Sequence, residues 1–304
     1  MKRIVVALGG NALMDPSKEQ NISKEQLNMD KISIDIIKLS QFYEIALTHG
    51  NGSQVGDEIS RNEHAKSKVP KLPLHILNAE TQASIGSIIE LSLKNAANKL
   101  KIKSNISVNL AHVLVDQNDP AFNKPVKQVG PFYGKKEFLE EYKLNKFEYI
   151  KSGDKYRMVV PSPMPIEILE INAILKLIPN NIIITCGGGG IPIVYKNKKI
   201  SGIPAVIDKD RTSQLLANSI DAEKLIILTN AEFVYTNYSD KESALRSIKA
   251  NEINKMLNLF EHGTILPKIE ACIQFIKNGG KEAYIGNIFK LNDILKGRSG
   301  TLIY

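Results

Sequence analysis

Residues 181–190 read NIIITCGGGG. An unbroken apolar run is what a strand buried on both faces of a parallel sheet looks like. The four glycines that end it mark a turn in which the backbone goes where side chains would obstruct it. The same pattern occurs twice more: RIVVALGGN at 3–11 and EIALTHGNG at 44–52. Three buried strands each end in a glycine turn: Gly9-Gly10-Asn11, Gly50-Asn51-Gly52 and Gly187-Gly188-Gly189-Gly190. In open α/β sheets ligands bind outside the carboxyl ends of the strands. Backbone N–H groups exposed in such turns hold anions, and a helix that opens behind the turn adds its positive dipole. One such turn alone reads as a tight connection; three together point to a phosphate cradle. Neither GxxxxGK[ST] nor a GxGxxG after a strand is present, which disfavours P-loop kinases and Rossmann dehydrogenases.

Outward from these turns, strand-like runs (3–8, 44–48, 105–116, 181–186, 224–229, 282–286) alternate with helix-like stretches (22–43, 84–100, 165–178, 210–220, 241–259, 266–278). This order predicts an α/β protein with a mostly parallel central sheet covered by helices on both faces. Residues 117–160 break the rhythm. Prolines and glycines cluster at Pro120, Pro125, Gly130 and Pro131, and Ser152-Gly153-Asp154 separates two β-like runs as in a hairpin. They read as a small subdomain inserted in one domain spanning 1–304.

Of the 304 residues 43% are hydrophobic and 24% charged, which describes a globular chain, and no apolar run reaches the roughly 20 residues of a membrane span. A cytoplasmic protein without membrane partners is expected. The net charge of +8 comes from lysines scattered along the chain, so nucleic acid is not the expected partner. Cys186 and Cys272 form no CxxC pair and are expected as small buried residues. The five histidines lack metal-ligand spacing, and no residue set is expected to hold a metal by itself.

Beyond the turns, Val206-Ile207-Asp208-Lys209-Asp210 opens a helix. Two carboxylates around a lysine suit phosphoryl transfer, in which carboxylates organise Mg²⁺ or other groups and lysines neutralise phosphate charge. Either aspartate also suits a helix N-cap. Lys268, after Leu266-Pro267, sits in a first turn against the helix dipole, a position that a facing phosphate would favour.

The chain resembles carbamate kinases, of the amino-acid kinase superfamily, over nearly its whole length. The matching segments run in order: ALGGNAL (7–13), THGNGSQVG (48–56), TQASIG (81–86), LVDQNDPAF (114–122), PVKQVGPFY (125–133), RMVVPSPMP (157–165), CGGGGIPIV (186–194), AVIDKD (205–210), LTNAEFVY (228–235), LPKIEA (266–271) and GT (300–301). The resemblance implies an open three-layer αβα sandwich with a protruding subdomain over the acceptor site, and a homodimer. It implies the reaction ATP + carbamate ⇌ ADP + carbamoyl phosphate with Mg²⁺; run toward ATP, the reaction would serve an arginine- or purine-derived catabolic pathway. Catalytic roles fall to Lys127, Lys209, Asp210 and Lys268. Nucleotide binding falls to Gly9, Gly10, Asn11, Gly187, Gly188, Gly189, Asp208, Tyr235 and Pro267, and acceptor binding to Gly50, Asn51 and Gly52. Many relatives carry lysine before the first glycine pair; here Ala7-Leu8 stands there, and Lys127 of the subdomain matches the family's other solution. Departures at Ala83, Ser84 and Ser87 bear on the acceptor, and the Ala83 methyl is expected to narrow the site. The alternatives are a relative with another small carboxylate or phosphate acceptor, and a nucleotide-binding protein without turnover.

Overall fold

The computed structural model describes residues 1–9, 22–144, 147–260 and 264–304. The chain runs through β1 (Lys2–Leu8), α1 (Ile22–Leu39), β2 (Tyr43–His49), α2 (Gly52–Ala65), α3 (Leu74–Leu100), β3 (Asn105–Val108) and β4 (His112–Val115). A middle part follows with β5 (Lys127–Tyr133), α4 (Lys135–Leu144), β6 (Glu148–Ser152), β7 (Lys155–Val160), β8 (Pro165–Ile168), α5 (Ile171–Leu177), β9 (Asn181–Ile184), β10 (Ile191–Lys196) and β11 (Lys199–Gly202). It closes with α6 (Lys209–Ser219), β12 (Lys224–Thr229), β13 (Val234–Tyr235), β14 (Ala244–Leu245), β15 (Ser247–Ile248), α7 (Ala250–Ile253), α8 (Leu266–Lys277), β16 (Glu282–Asn287), α9 (Leu291–Leu295) and β17 (Thr301–Ile303).

Eight strands form the central sheet in the order β15-β17-β16-β12-β1-β2-β9-β3. From β16 to β3 every pairing is parallel, and β17 turns antiparallel at the far side. β1 lies at the switch point, with β2 on one flank and β12 on the other, so the crevice opens at its carboxyl end. The pleat sends Val5 and Ala7 into one core with Leu216 of α6 and Ile269 and Phe275 of α8. Ile4, Val6 and Leu8 enter the other, with Ile32 and Ile36 of α1 and Ile89 and Leu93 of α3. These two cores, one on each face, make the three-layer αβα sandwich.

A second, four-stranded sheet has the order β11-β10-β4-β8. It corrects the reading of 105–116 as one strand: the run breaks at Asn109–Ala111, leaving β3 in the central sheet and β4 in the second. Residues 165–178, expected as helix, begin as β8, and 241–259 is mostly not α-helix. There Ala244–Leu245 and Ser247–Ile248 pair with Val234–Tyr235 and with β17. α3 starts ten residues earlier than the predicted 84, and α2 was not foreseen.

Residues 127–160 carry a separate antiparallel sheet, β5-β7-β6. The predicted hairpin is present, pairing Ser152 with Lys155 around Gly153 at φ 59°. Val129, Met158 and Val160 of this sheet share an apolar core with Val55 and Ile59 of α2, Leu74 and Leu77 of α3, and Val206. Both cysteines are free and buried. Among the described residues no helix is long and apolar enough to cross a membrane.

Candidate active site

The ladder of the central sheet continues one residue past the strand ends and sets the turns side by side. The Gly9 N–H donates to Leu228 O (3.1 Å), Gly50 N–H to Leu8 O (3.1 Å) and Thr185 N–H to Leu47 O (2.9 Å). Gly10 and Asn11, two expected nucleotide contacts, lie outside the described residues.

The four-glycine turn is a tight 3₁₀ turn, closed by Gly189 N–H to Cys186 O and Gly190 N–H to Gly187 O, both 3.0 Å. Cys186 (φ 52°, ψ 29°) and Gly188 (φ 64°, ψ 13°) are left-handed and flank Gly187. Such alternation makes a nest of convergent N–H groups suited to an anion. The glycines also serve a purpose the sequence did not reveal. A Cβ on Gly187 would lie 2.1 Å from His49 Nε2, one on Gly188 2.3 Å from Asn51 Nδ2, and one on Gly189 2.4 Å from Ile207 O. The turn is therefore wedged between the β2 turn and the approach to α6.

The β2 turn is held from behind by α3. Asn51 Nδ2 donates to Asn78 Oδ1 (3.1 Å) and to Thr81 Oγ1 (3.0 Å). Asn78 Nδ2 in turn donates to Ala205 O (2.8 Å), and Gln82 Oε1 accepts from Ala111 N–H (2.9 Å). Asn51, Asn78, Thr81 and Gln82 are all buried, so each bond is made away from competing water. Burial drives the His49 imidazole down to about 4, and nearby Lys209 adds to the effect, so the ring is neutral near pH 7.

At the start of α6, Asp208 is the N-cap and accepts from Asp210 N–H (2.9 Å). Its other oxygen pairs with Lys127, which comes from β5. Asp210, only 2% exposed, holds two lysines: Lys268 Nζ donates to Oδ2 (2.8 Å) and Lys209 Nζ lies 2.9 Å from Oδ1. The second pair is out of line for a hydrogen bond, so Lys209 Nζ and Asp210 Oδ1 keep unmet bonding capacity. Burial would raise both carboxyls, but Lys127 outweighs it at Asp208, and Lys209 with Lys268 at Asp210, holding each below the usual carboxylate range. Burial lowers the Lys209 ammonium, with Lys268 adding to that. Lys268 is also lowered by burial, but Asp210 reverses this and leaves it raised. Thr212 Oγ1 donates to Gly189 O (2.9 Å) and the Ser213 and Thr48 hydroxyls meet at 2.6 Å, fastening α6 to both turns.

Three lysines and two carboxylates thus converge from β5, α6 and α8 beside an anion nest. With one positive charge in excess and a buried ammonium with donors to spare, the cluster fits a phosphoryl group. Pro267 occupies the first turn of α8, just before Lys268. Tyr235 lies past the end of β12, and its ring contacts are with Phe233 (6.4 Å) and Tyr238 (5.7 Å), not with the lysines. Ala83, Ser84 and Ser87 are exposed on α3. The supporting residues Asn78, Gln82, Thr212 and Ser213 escaped the sequence reading. Their signal was polar residues on otherwise apolar helix faces beside a glycine turn.

The amino acid kinase family model matches residues 2–287. A carbamate kinase of Thermoplasma acidophilum is 41% identical, the alignment covering 100% of this chain and 99% of that protein. A carbamate kinase from Giardia lamblia bound to citric acid superposes with TM-score 0.93 at 35% identity, covering 99% of this chain and 98% of that one. The same Giardia enzyme bound to AMP-PNP gives TM-score 0.89 at 35% identity, with the same coverage. With this likeness along its whole length, the chain belongs to the amino acid kinase family, on its carbamate kinase branch.

Proposed function

We propose that the chain is a carbamate kinase, transferring a phosphoryl group reversibly between ATP and carbamate. The observation that carries this is the convergence of Lys127, Lys209 and Lys268 on Asp208 and Asp210 beside the Gly187–Gly189 nest. The nucleotide phosphates occupy the nest and the start of α6, with Gly9, Asp208 and Pro267 around them and Tyr235 toward the base. The acceptor sits at Gly50-Asn51-Gly52. The lysines surround the oxygens of the group in flight. Its transition state spreads charge over three oxygens, so fixed cations are the main catalytic device. Asp210 orders two of them from one carboxylate, and its depressed titration keeps it ionised in the neutral range. Carbamate is already an anionic nucleophile, so no base needs to remove a proton from it.

Among the described residues no group of three His, Cys, Asp or Glu is placed to hold a metal. In this reading Mg²⁺ would come with the nucleotide and would supply neutralisation of phosphate charge beside Lys127, Lys209 and Lys268. Residues 117–160 act as a lid within the single 1–304 domain; closure excludes water from a labile product. A homodimer completes the reading. The test is ATP formation from carbamoyl phosphate and ADP by the purified chain. Nucleotide binding without ATP formation would overturn the activity.

A further inference from the structure

At Gly56 and Gly130, α2 and β5 meet backbone to backbone. A Cβ on Gly56 would fall 2.0 Å from Gly130 Cα, 2.1 Å from Gly130 N and 3.0 Å from the Val129 carbonyl carbon. From the other side, a Cβ on Gly130 would fall 3.3 Å from Gly56 Cα. Gly52 lies one turn earlier on the same face of α2. Its Cβ would meet the Gln128 carbonyl oxygen at 3.7 Å. The Gly52–Gly56 edge of the helix therefore lies on Gln128–Gly130 with no side chain between. Around this crossing Val55, Ile59, Val129, Met158 and Val160 share one apolar core. Farther along α2, Ser60 Oγ donates to Glu141 Oε1 (3.3 Å), and beyond its end Lys66 Nζ donates to Leu144 O (2.5 Å).

The two ends of this contact are functional in the carbamate kinase reading, on which the inference rests. α2 begins at the Gly50–Gly52 turn, and Lys127 immediately precedes Gln128. We propose that Gly56 and Gly130 are positioning residues, whose backbone crossing fixes the spacing between the acceptor turn and Lys127. β5 and the first turns of α2 then open and close together, so that Lys127 keeps one spacing to the turn that α3 braces.

The test uses the full chain. Gly56→Ala should lower turnover in the carbamoyl-phosphate assay about 100-fold, the scale of an ångström-sized misplacement, with ADP affinity unchanged. Gly130→Ala should act in the same direction. Gly297→Asn, just past α9 with nothing near its Cβ position, should keep wild-type turnover. In a double-mutant cycle, adding Gly56→Ala to Lys127→Ala should cost little more than Lys127→Ala alone, whereas a merely structural effect would add in full. Full turnover in the Gly56 and Gly130 variants, or additive losses, would overturn the proposal. Native-state hydrogen exchange of the wild-type chain is independent of activity and of whether the variants fold. Val55–Ile59 and Lys127–Val129 should share one opening free energy, and separate opening would overturn the coupling. A wild type that makes no ATP yet opens these segments together would sink the carbamate reading alone.

Discussion

In β1 every residue from Ile4 to Leu8 is 0% exposed, whereas α4 in the subdomain buries none of its residues. The central sheet is held by two continuous apolar cores. The subdomain is held by ring contacts, such as Phe138 stacked on Tyr156 at 4.1 Å, and by a seam on α2. Lys127 belongs to the second region and Asp208 to the first, so the cluster of lysines and aspartates closes across the boundary. The difference teaches that the region fixing the glycine turns is built for rigidity. The region delivering the last lysine is built with little energy to spare.

The comparison is put under most strain by Phe275→Ala. This fully buried side chain of α8 should cost about 3–5 kcal/mol, read as a fall in unfolding free energy in urea. Next is Lys127→Ala, expected to lose about 100- to 1000-fold in turnover, roughly 3–4 kcal/mol of barrier, while still folding and binding ADP. Lys127→Arg should recover activity only partly, because the planar guanidinium does not replace a compact ammonium. Near-normal ATP formation by Lys127→Ala would make the subdomain lysine a solvated bystander.

A third, similar effect lies at the end of β2. His49 has its folded-state value depressed to about 4, while the unfolded chain takes up a proton near the ordinary value of 6.5. Stability from this group is complete above that unfolded value and is lost as pH falls toward 4. By linkage the loss is on the order of 3 kcal/mol. His49→Gln should flatten the stability profile in this window; an unchanged slope would show that another group is responsible. The smallest effect is expected from Phe138→Ala, about 1 kcal/mol for the lost ring pairs, with the midpoint for the central sheet hardly moved.

Both regions differ as well in how far the residues announced them. β1, β2, β9 and β12 were legible because strands buried on both faces leave long apolar runs ending in glycine. Lys209, Asp210 and Lys268 were legible because charges at the start of a helix, close to glycine turns of this kind, are placed to meet a bound anion. Lys127 came only through family resemblance: nothing local in PVKQVG says that its ammonium reaches Asp208, 81 positions away. The run 105–116 hid a change of sheet, because Ala111 is pinned by Gln82 on a distant helix. The apolar spacing of α3 becomes visible only from 84 because Asn78, Thr81 and Gln82 interrupt it to brace the Gly50–Gly52 turn and the start of β4. Residues 244–248 find their strand partners at 234–235 and 302–303, which no periodicity can show.

The crossing of Gly56 over Gly130 has a consequence for how such a chain can vary. In an ordinary core a larger residue on one side can be matched by a smaller one opposite. Here both sides are already glycine, and the nearest atoms to an added methyl at Gly56 are main-chain atoms. Nothing remains to be trimmed, so no second-site change of side chain restores the fit. In a saturation library the two positions should tolerate glycine alone and show no compensating pairs, while Val55 and Val129 beside them exchange apolar volume freely.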